Sequence, residues 1–124
     1  MRLFGKNQEA IAYLTGKFRL LDAELIEVRI YKVNYLVDID IHFQLTGSKL
    51  IVMLRFIDII EYAFYHNNKH DFYCLATVPK FIINNNQEVY LSLDPDEMST
   101  EPIESDNDII LSKGLEGYFV EEEQ

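Results

Sequence analysis

The sequence predicts an α+β fold: one short N-terminal helix followed by a mainly antiparallel sheet of six to seven strands in a meander. Three observations carry this. Apolar residues recur at helical spacing near the start, at Ile11 and Leu14. After Asp22 the apolar period changes to two. From there to residue 120, short apolar runs alternate with clusters of Asn, Gly, Asp and Pro, the residues that make turns.

The helix is framed by Asn7 as its cap, Glu9 in its first turn and Gly16 at its end. Phe18 and Leu21 continue the spacing, but Gly16 breaks the helix before them. Glu24 to Tyr31 and Tyr35 to Phe43 alternate apolar with polar residues and read as half-buried strands. Lys49 to Phe56 is a third strand, apolar on both faces. Aligning the apolar faces sets Ile26 opposite Ile41, Val28 opposite Ile39 and Ile30 opposite Val37. It also sets Phe43 opposite Leu50, Ile41 opposite Val52, Ile39 opposite Leu54 and Val37 opposite Phe56. Thr46-Gly47 then forms a two-residue hairpin loop.

Ile59 to Tyr65 and Phe72 to Val78 read as strands flanking a turn at His66 to His70. Phe81-Ile82-Ile83 and Glu88 to Leu93 flank a polar loop, Asn84 to Gln87. Asp94-Pro95 ends that strand, because proline gives no N–H to a ladder. Residues 98–108 read as an exposed acidic loop, Ile109 to Leu111 and Leu115 to Val120 as a closing strand or two, and residues 121–124 as a frayed tail.

At 124 residues, 48% of them hydrophobic, the chain is expected to be a single domain, 1–124. One cysteine, Cys74, excludes an internal disulfide, and its apolar strand predicts a small buried thiol. No apolar run approaches the ~20 residues of a membrane helix, and no signal peptide is read at the start. The expectation is a soluble cytoplasmic protein with no membrane role.

The net charge of −10 is unevenly placed. Residues 1–93 carry ten acidic and ten basic side chains, whereas residues 94–124 carry eleven acidic ones and only Lys113 as a base. Such a surface repels phosphates, which argues against nucleic acid, and suits a basic partner or simple solubility. Seven carboxylates lie between Asp94 and Asp108 with no base among them. Their spacing does not match a calcium loop, which needs a glycine at its turn, so no metal and no cofactor is expected. Turn chemistry explains part of the cluster: Asp94 before Pro95, and Ser105-Asp106.

The register makes a second constellation. It places Arg29, Asp38 and Arg55 side by side on the face opposite the core stripe, with Glu27, Asp40 and Met53 in the next row and Leu25, His42 and Ile51 beyond. Such a row is either a cross-strand ion ladder or the polar floor of a pocket in which Asp40 and His42 act as acid and base. His66 and His70 have the i, i+4 spacing of a helix, but the Asn-Asn-Lys between them reads as a turn, and only Asp71 stands near as a further ligand.

The stretch Tyr90-Leu91-Ser92-Leu93-Asp94-Pro95, the acidic loop after it, and Ser105-Asp106-Asn107-Asp108-Ile109-Ile110 resemble small uncharacterised bacterial proteins of the domain-of-unknown-function kind, some of them similar to immunity proteins of polymorphic toxin systems. The resemblance spans roughly residues 56–120. It implies a non-enzymatic inhibitor and no catalytic residue. Together these readings predict a protein-binding domain that docks Asp94, Asp96, Glu97, Asp106 and Asp108 on a basic protein partner. The alternatives are a ligand-binding or enzymatic pocket at Arg29, Asp38, Asp40, His42 and Arg55, and a structural protein that self-associates as a homo-oligomer.

Overall fold

In a computed structural model, which describes residues 1–16, 20–66, 74–75 and 78–120, the alternating segments form strands and the predicted α+β class holds. Strand β1 (Arg2–Lys6) leads into helix α1 (Gln8–Gly16). Then follow β2 (Glu24–Val33), β3 (Leu36–Gln44), β4 (Ile51–Ala63), β5 (Lys80–Ile83), β6 (Val89–Asp94) and β7 (Asn107–Val120). All seven strands join one sheet, six in the order β2-β3-β4-β7-β6-β5 and β1 off that path against β7, every neighbouring pair antiparallel. Two three-stranded meanders thus meet along β4 and β7.

β7 organises the molecule. One of its edges pairs with β4 from Ile109 to Val120. Its other edge is shared: β6 takes Asn107 to Ser112 and β1 takes Glu116 to Phe119. Asn7 fills the seam, its N–H donating to Leu115 O at 2.8 Å and its Oδ1 accepting from Leu115 N at 3.0 Å. The predicted cap is therefore corrected in its chemistry. Asn7 O accepts the first helical bond, from Ile11 N, but its side chain serves β7 rather than the helix.

The core is one cluster of Ala10, Ile11 and Leu14 from α1 with the inward residues of β2, β3, β4, β6 and β7, among them Ile39, Ile41, Phe43, Leu54, Phe56, Leu91 and Ile110. Gly117 lets Phe4 lie directly on β7: a Cβ there would sit 2.4 Å from Phe4 Cζ. The Phe4 ring is held in turn by Tyr13 and Phe119, with centroids 5.2 and 4.9 Å away.

Several expectations are corrected. β1 precedes the helix, where no strand was predicted. The predicted strands 49–56 and 59–65 are one strand, β4, which carries Asp58 at φ 56° and a register shift between Ile59 and Glu61. The two closing segments are likewise one strand, β7. Both registers of the first meander move by two residues. Val28 faces Ile41 and Ile30 faces Ile39, while Phe43 faces Val52, Ile41 faces Leu54 and Ile39 faces Phe56.

The cause lies in the turns. The β2–β3 loop is Asn34-Tyr35, closed by Val33 opposite Leu36, with Asn34 at φ 59°. Asparagine tolerates that conformation and β-branched Val33 does not. The β3–β4 loop is Thr46 to Lys49, not Thr46-Gly47: Leu45 N donates to Leu50 O, Gly47 sits at φ 73°, and Ser48 Oγ accepts from Leu50 N. A slip of two keeps side chains on their predicted faces, except at Leu25 and Ile26: Leu25, predicted on the polar face, is buried in the core, and Ile26, predicted in the core stripe, is exposed. Where β2 departs from a simple slip, between Leu25 and Glu27, it carries a bulge.

Cys74 is exposed, not buried. It forms an isolated bridge to Glu24, while Leu75 beside it enters the core. The rest of the predicted strand 72–78, apart from Leu75 and Val78, the turn residues 67–70 and the tail 121–124 lie outside the described residues.

Candidate functional site

Two groups of polar side chains stand out, and each is built around a buried aspartate. The first lies on the outer face of the sheet. Successive registers place Arg29 on β2 beside Asp40 on β3, Asp40 beside Arg55 on β4, Arg55 beside Glu116 on β7, and Glu116 beside Lys6 on β1. Five strands thus contribute one row of alternating charge. Asp40, 5% exposed, is its hub. Its Oδ1 accepts from Tyr31 Oη and from Arg55 Nε, both at 3.0 Å, and its Oδ2 accepts from Arg55 Nη2 at 3.2 Å. Burial, and then the bond to Asp40, raise the Tyr31 phenol above its ordinary range. The Arg55 guanidinium also lies over the Tyr118 ring, and Arg29 over Tyr31.

The predicted row named Asp38 where Asp40 stands. This is the direct result of the two-residue register shift. Asp38 is opposite Tyr31, and its Oδ1 accepts from Asp58 N at 2.9 Å. It holds the positive-φ turn of β4 rather than an arginine. His42 falls in the row of Glu27 and Met53, and its buried Nδ1 has no hydrogen-bond partner among the described residues. Asp40 is bonded to Arg55 and Tyr31 rather than to His42 Nδ1. Glu116 and Lys6 complete the row, Tyr31 reaches its hub Asp40 from the neighbouring position, and none of the three was singled out from the sequence. The pairing of β7 with β4 and β1 brings in Glu116 and Lys6, and the hydroxyl bond to Asp40 brings in Tyr31.

The second group sits under the acidic loop. Asp106 is 7% exposed and accepts five hydrogen bonds. Lys80 Nζ reaches Oδ1 at 2.8 Å and Oδ2 at 3.1 Å. Tyr90 Oη donates to Oδ2 at 2.6 Å. The backbone N–H of Asp96 donates to Oδ1 at 2.8 Å and that of Ile103 to Oδ2 at 3.2 Å. Burial would raise this carboxyl, but Lys80, Tyr90 and the two N–H groups hold it down at about 2. Tyr90 moves the other way, raised by burial and by its bond to Asp106. Asp108, 4% exposed, accepts from Tyr65 N at 2.8 Å.

Asp106 and Asp108 are therefore corrections to the predicted acidic surface. They face inward as acceptors for backbone and for Lys80, a residue 26 positions away in the chain. Asp94 and Asp96 are half-buried, and Glu97 is exposed. Asp96 Oδ1 accepts from Met98 N, and its Oδ2 accepts from Ser105 Oγ. Those bonds, Ser105 first, lower its pKa.

No family model matches the chain, and no curated protein or solved structure does either.

What the loop offers outward is Glu97, Glu101 and Glu104, together with Met98, which is 93% exposed, and Ile103. Behind it, a cavity of about 440 Å³ is walled by Ile82, Tyr90, Pro102, Ile103, Ile109 and Leu111, with Glu61 and Glu104 as its carboxylates. Among the described residues no group of three or more His, Cys, Asp or Glu is arranged to hold a metal ion.

Proposed function

We propose that this chain is a non-enzymatic protein-binding domain, of the immunity or inhibitor kind, that presents the loop 94–106 to a basic protein partner. The observation that carries the reading is that the loop is ordered from within. Asp106 ties its two limbs together through the N–H groups of Asp96 and Ile103, and Asp96 ties it again through Met98 and Ser105. A loop already held in shape loses little conformational entropy on binding.

Its rim suits a cationic surface. Glu97, Glu101 and Glu104 supply charge that steers encounter. Met98 supplies an adaptable apolar contact at its tip. The neighbouring cavity, with apolar walls and two carboxylates, accepts a long basic side chain whose stem is apolar and whose head is charged. Asp106 and Asp108 belong to the scaffold in this reading, and the binding residues are Asp94, Asp96, Glu97, Glu101 and Glu104.

The test is capture of a partner on the immobilised full chain, followed by titration of the purified partner at low and high salt. A basic partner should bind the wild type far more tightly at low salt, and Glu97→Gln/Glu101→Gln/Glu104→Gln should mainly slow association. A captured protein whose dissociation constant ignores both salt and these substitutions overturns electrostatic docking.

A further inference from the structure

β2 is an edge strand of ten residues, and on its outer side only Cys74, opposite Glu24, makes a bridge among the described residues. Open edges of this length recruit another strand unless they are blocked. Three of its apolar side chains are open to solvent: Ile26 is 46% exposed and Ile30 and Val33 are each 44% exposed. We propose that β2 pairs antiparallel with β2 of a second copy of this chain, about a two-fold axis beside Val28.

Three features of the strand choose that partner and that register. First, its charges are divided. Glu24 and Glu27 precede Val28, and Arg29 and Lys32 follow it. Antiparallel pairing centred on Val28 sets Glu27 opposite Arg29 of the second copy, twice by symmetry. Parallel pairing in register would set like against like. Second, the alternating row Lys6, Glu116, Arg55, Asp40, Arg29 stops on a cation at this edge. The position beyond Arg29 wants a carboxylate, and Glu27 of the second copy supplies it on the same sheet face.

Third, the backbone is presented correctly. The two-residue loop closes on Val33 and Leu36. Counting back along an antiparallel ladder from that hydrogen-bonded pair turns the N–H and C=O of Val28, Ile30 and Lys32 outward. Val28 then exchanges both bonds with its own symmetry mate. Ile30 meets the bulged Leu25-Ile26 segment of the other copy, which covers exposed apolar surface on both. Cys74 at Glu24 limits the new ladder to its central residues, so the association is weak, in the micromolar-to-millimolar range.

The experiment is sedimentation equilibrium of the full chain from micromolar to millimolar concentration, with circular dichroism of each variant as a control for folding. The wild type should show a reversible monomer–dimer equilibrium. Arg29→Glu should weaken it at least about tenfold by opposing two pairs of like charges, and so should Glu27→Arg. An equimolar mixture of the two variants should regain a heterodimer. Val28→Pro, which removes an outward N–H, should be monomeric whatever the effect of the charge changes on Asp40. A wild type that stays monomeric at millimolar concentration overturns the proposal. So does a dimer that survives Val28→Pro, or a charge-variant mixture that remains monomeric.

Discussion

Tyr90 Oη and Asp106 Oδ2 lie 2.6 Å apart in the interior, joining β6 to the end of the acidic loop. Lys80 completes the pair's surroundings from β5, with its side chain only 10% exposed. The loop's shape therefore depends on one carboxylate that is satisfied from three sides.

Asp106→Ala is expected to destabilise the fold by about 3–5 kcal/mol, the range for a buried pair that loses one partner. It strands the Lys80 ammonium, the Tyr90 hydroxyl and two backbone N–H groups together. Tyr90→Phe removes one donor and should cost only about 0.5–1.5 kcal/mol. Urea unfolding of both variants checks the ranking, and a Tyr90→Phe loss equal to that of Asp106→Ala would contradict it.

Acid should loosen the same region. Asp106 titrates at about 2 in the folded chain against an ordinary value of 3.8. Between those values the unfolded chain binds more protons, so stability rises with pH. The contribution is complete above about pH 4 and is lost as pH falls toward 2; Asp96, also lowered, acts in the same direction. Unfolding free energies measured from pH 5 to pH 2 should fall less steeply in Asp106→Asn than in the wild type.

Gly117→Ala is expected to destabilise by about 1–3 kcal/mol through overpacking. The new methyl meets three atoms of the Phe4 ring, all within 2.9 Å, and the ring cannot swing aside freely between Tyr13 and Phe119. Phe4→Leu should cost stability alone and less when combined with Gly117→Ala. A double-mutant cycle in urea measures this coupling, and strictly additive losses would rule out the contact as the cause.

Calcium should raise the melting temperature no more than magnesium does. Asp106 already accepts from an ammonium and three further donors, and Asp108 from Tyr65 N. The carboxylates left outside are exposed or tied into turns. A calcium-specific shift abolished by Asp94→Asn would show otherwise.

What could be read from the sequence follows the physics of periodicity. A period of two assigns faces, so the core residues Ile39, Ile41, Phe43, Leu54 and Phe56 and the opposite polar face were legible. Register along the strands is set by turns, and Asn34 and the four-residue loop after Leu45 shifted it by two. That shift exchanged Asp38 for Asp40 beside the arginines. Asp106 was misread as surface because its neighbours in sequence are acidic, while the base that pairs with it lies on β5. β1 gave little pattern, since Arg2 and Lys6 flank only three residues and one of them is Gly5. Asn7 reads as a cap from its position alone, and only the gap between β6 and β1 along β7 explains its side chain.

The sharing of β7 between β4, β6 and β1 has a consequence for biosynthesis. A ribosome releases β1, β4 and β6 before the strand that pairs with all three of them. At about 5–20 residues per second, several seconds separate the emergence of the last residue of β4 from that of Val120. Through that interval the nascent chain holds an unpaired edge of β4 and an unburied Phe4, so closure awaits β7. Folding of this topology is expected to await the emergence of β7 rather than to proceed strand by strand. A stalled chain ending before Leu115 should therefore remain sensitive to protease along β4, where one extended through Val120 is protected.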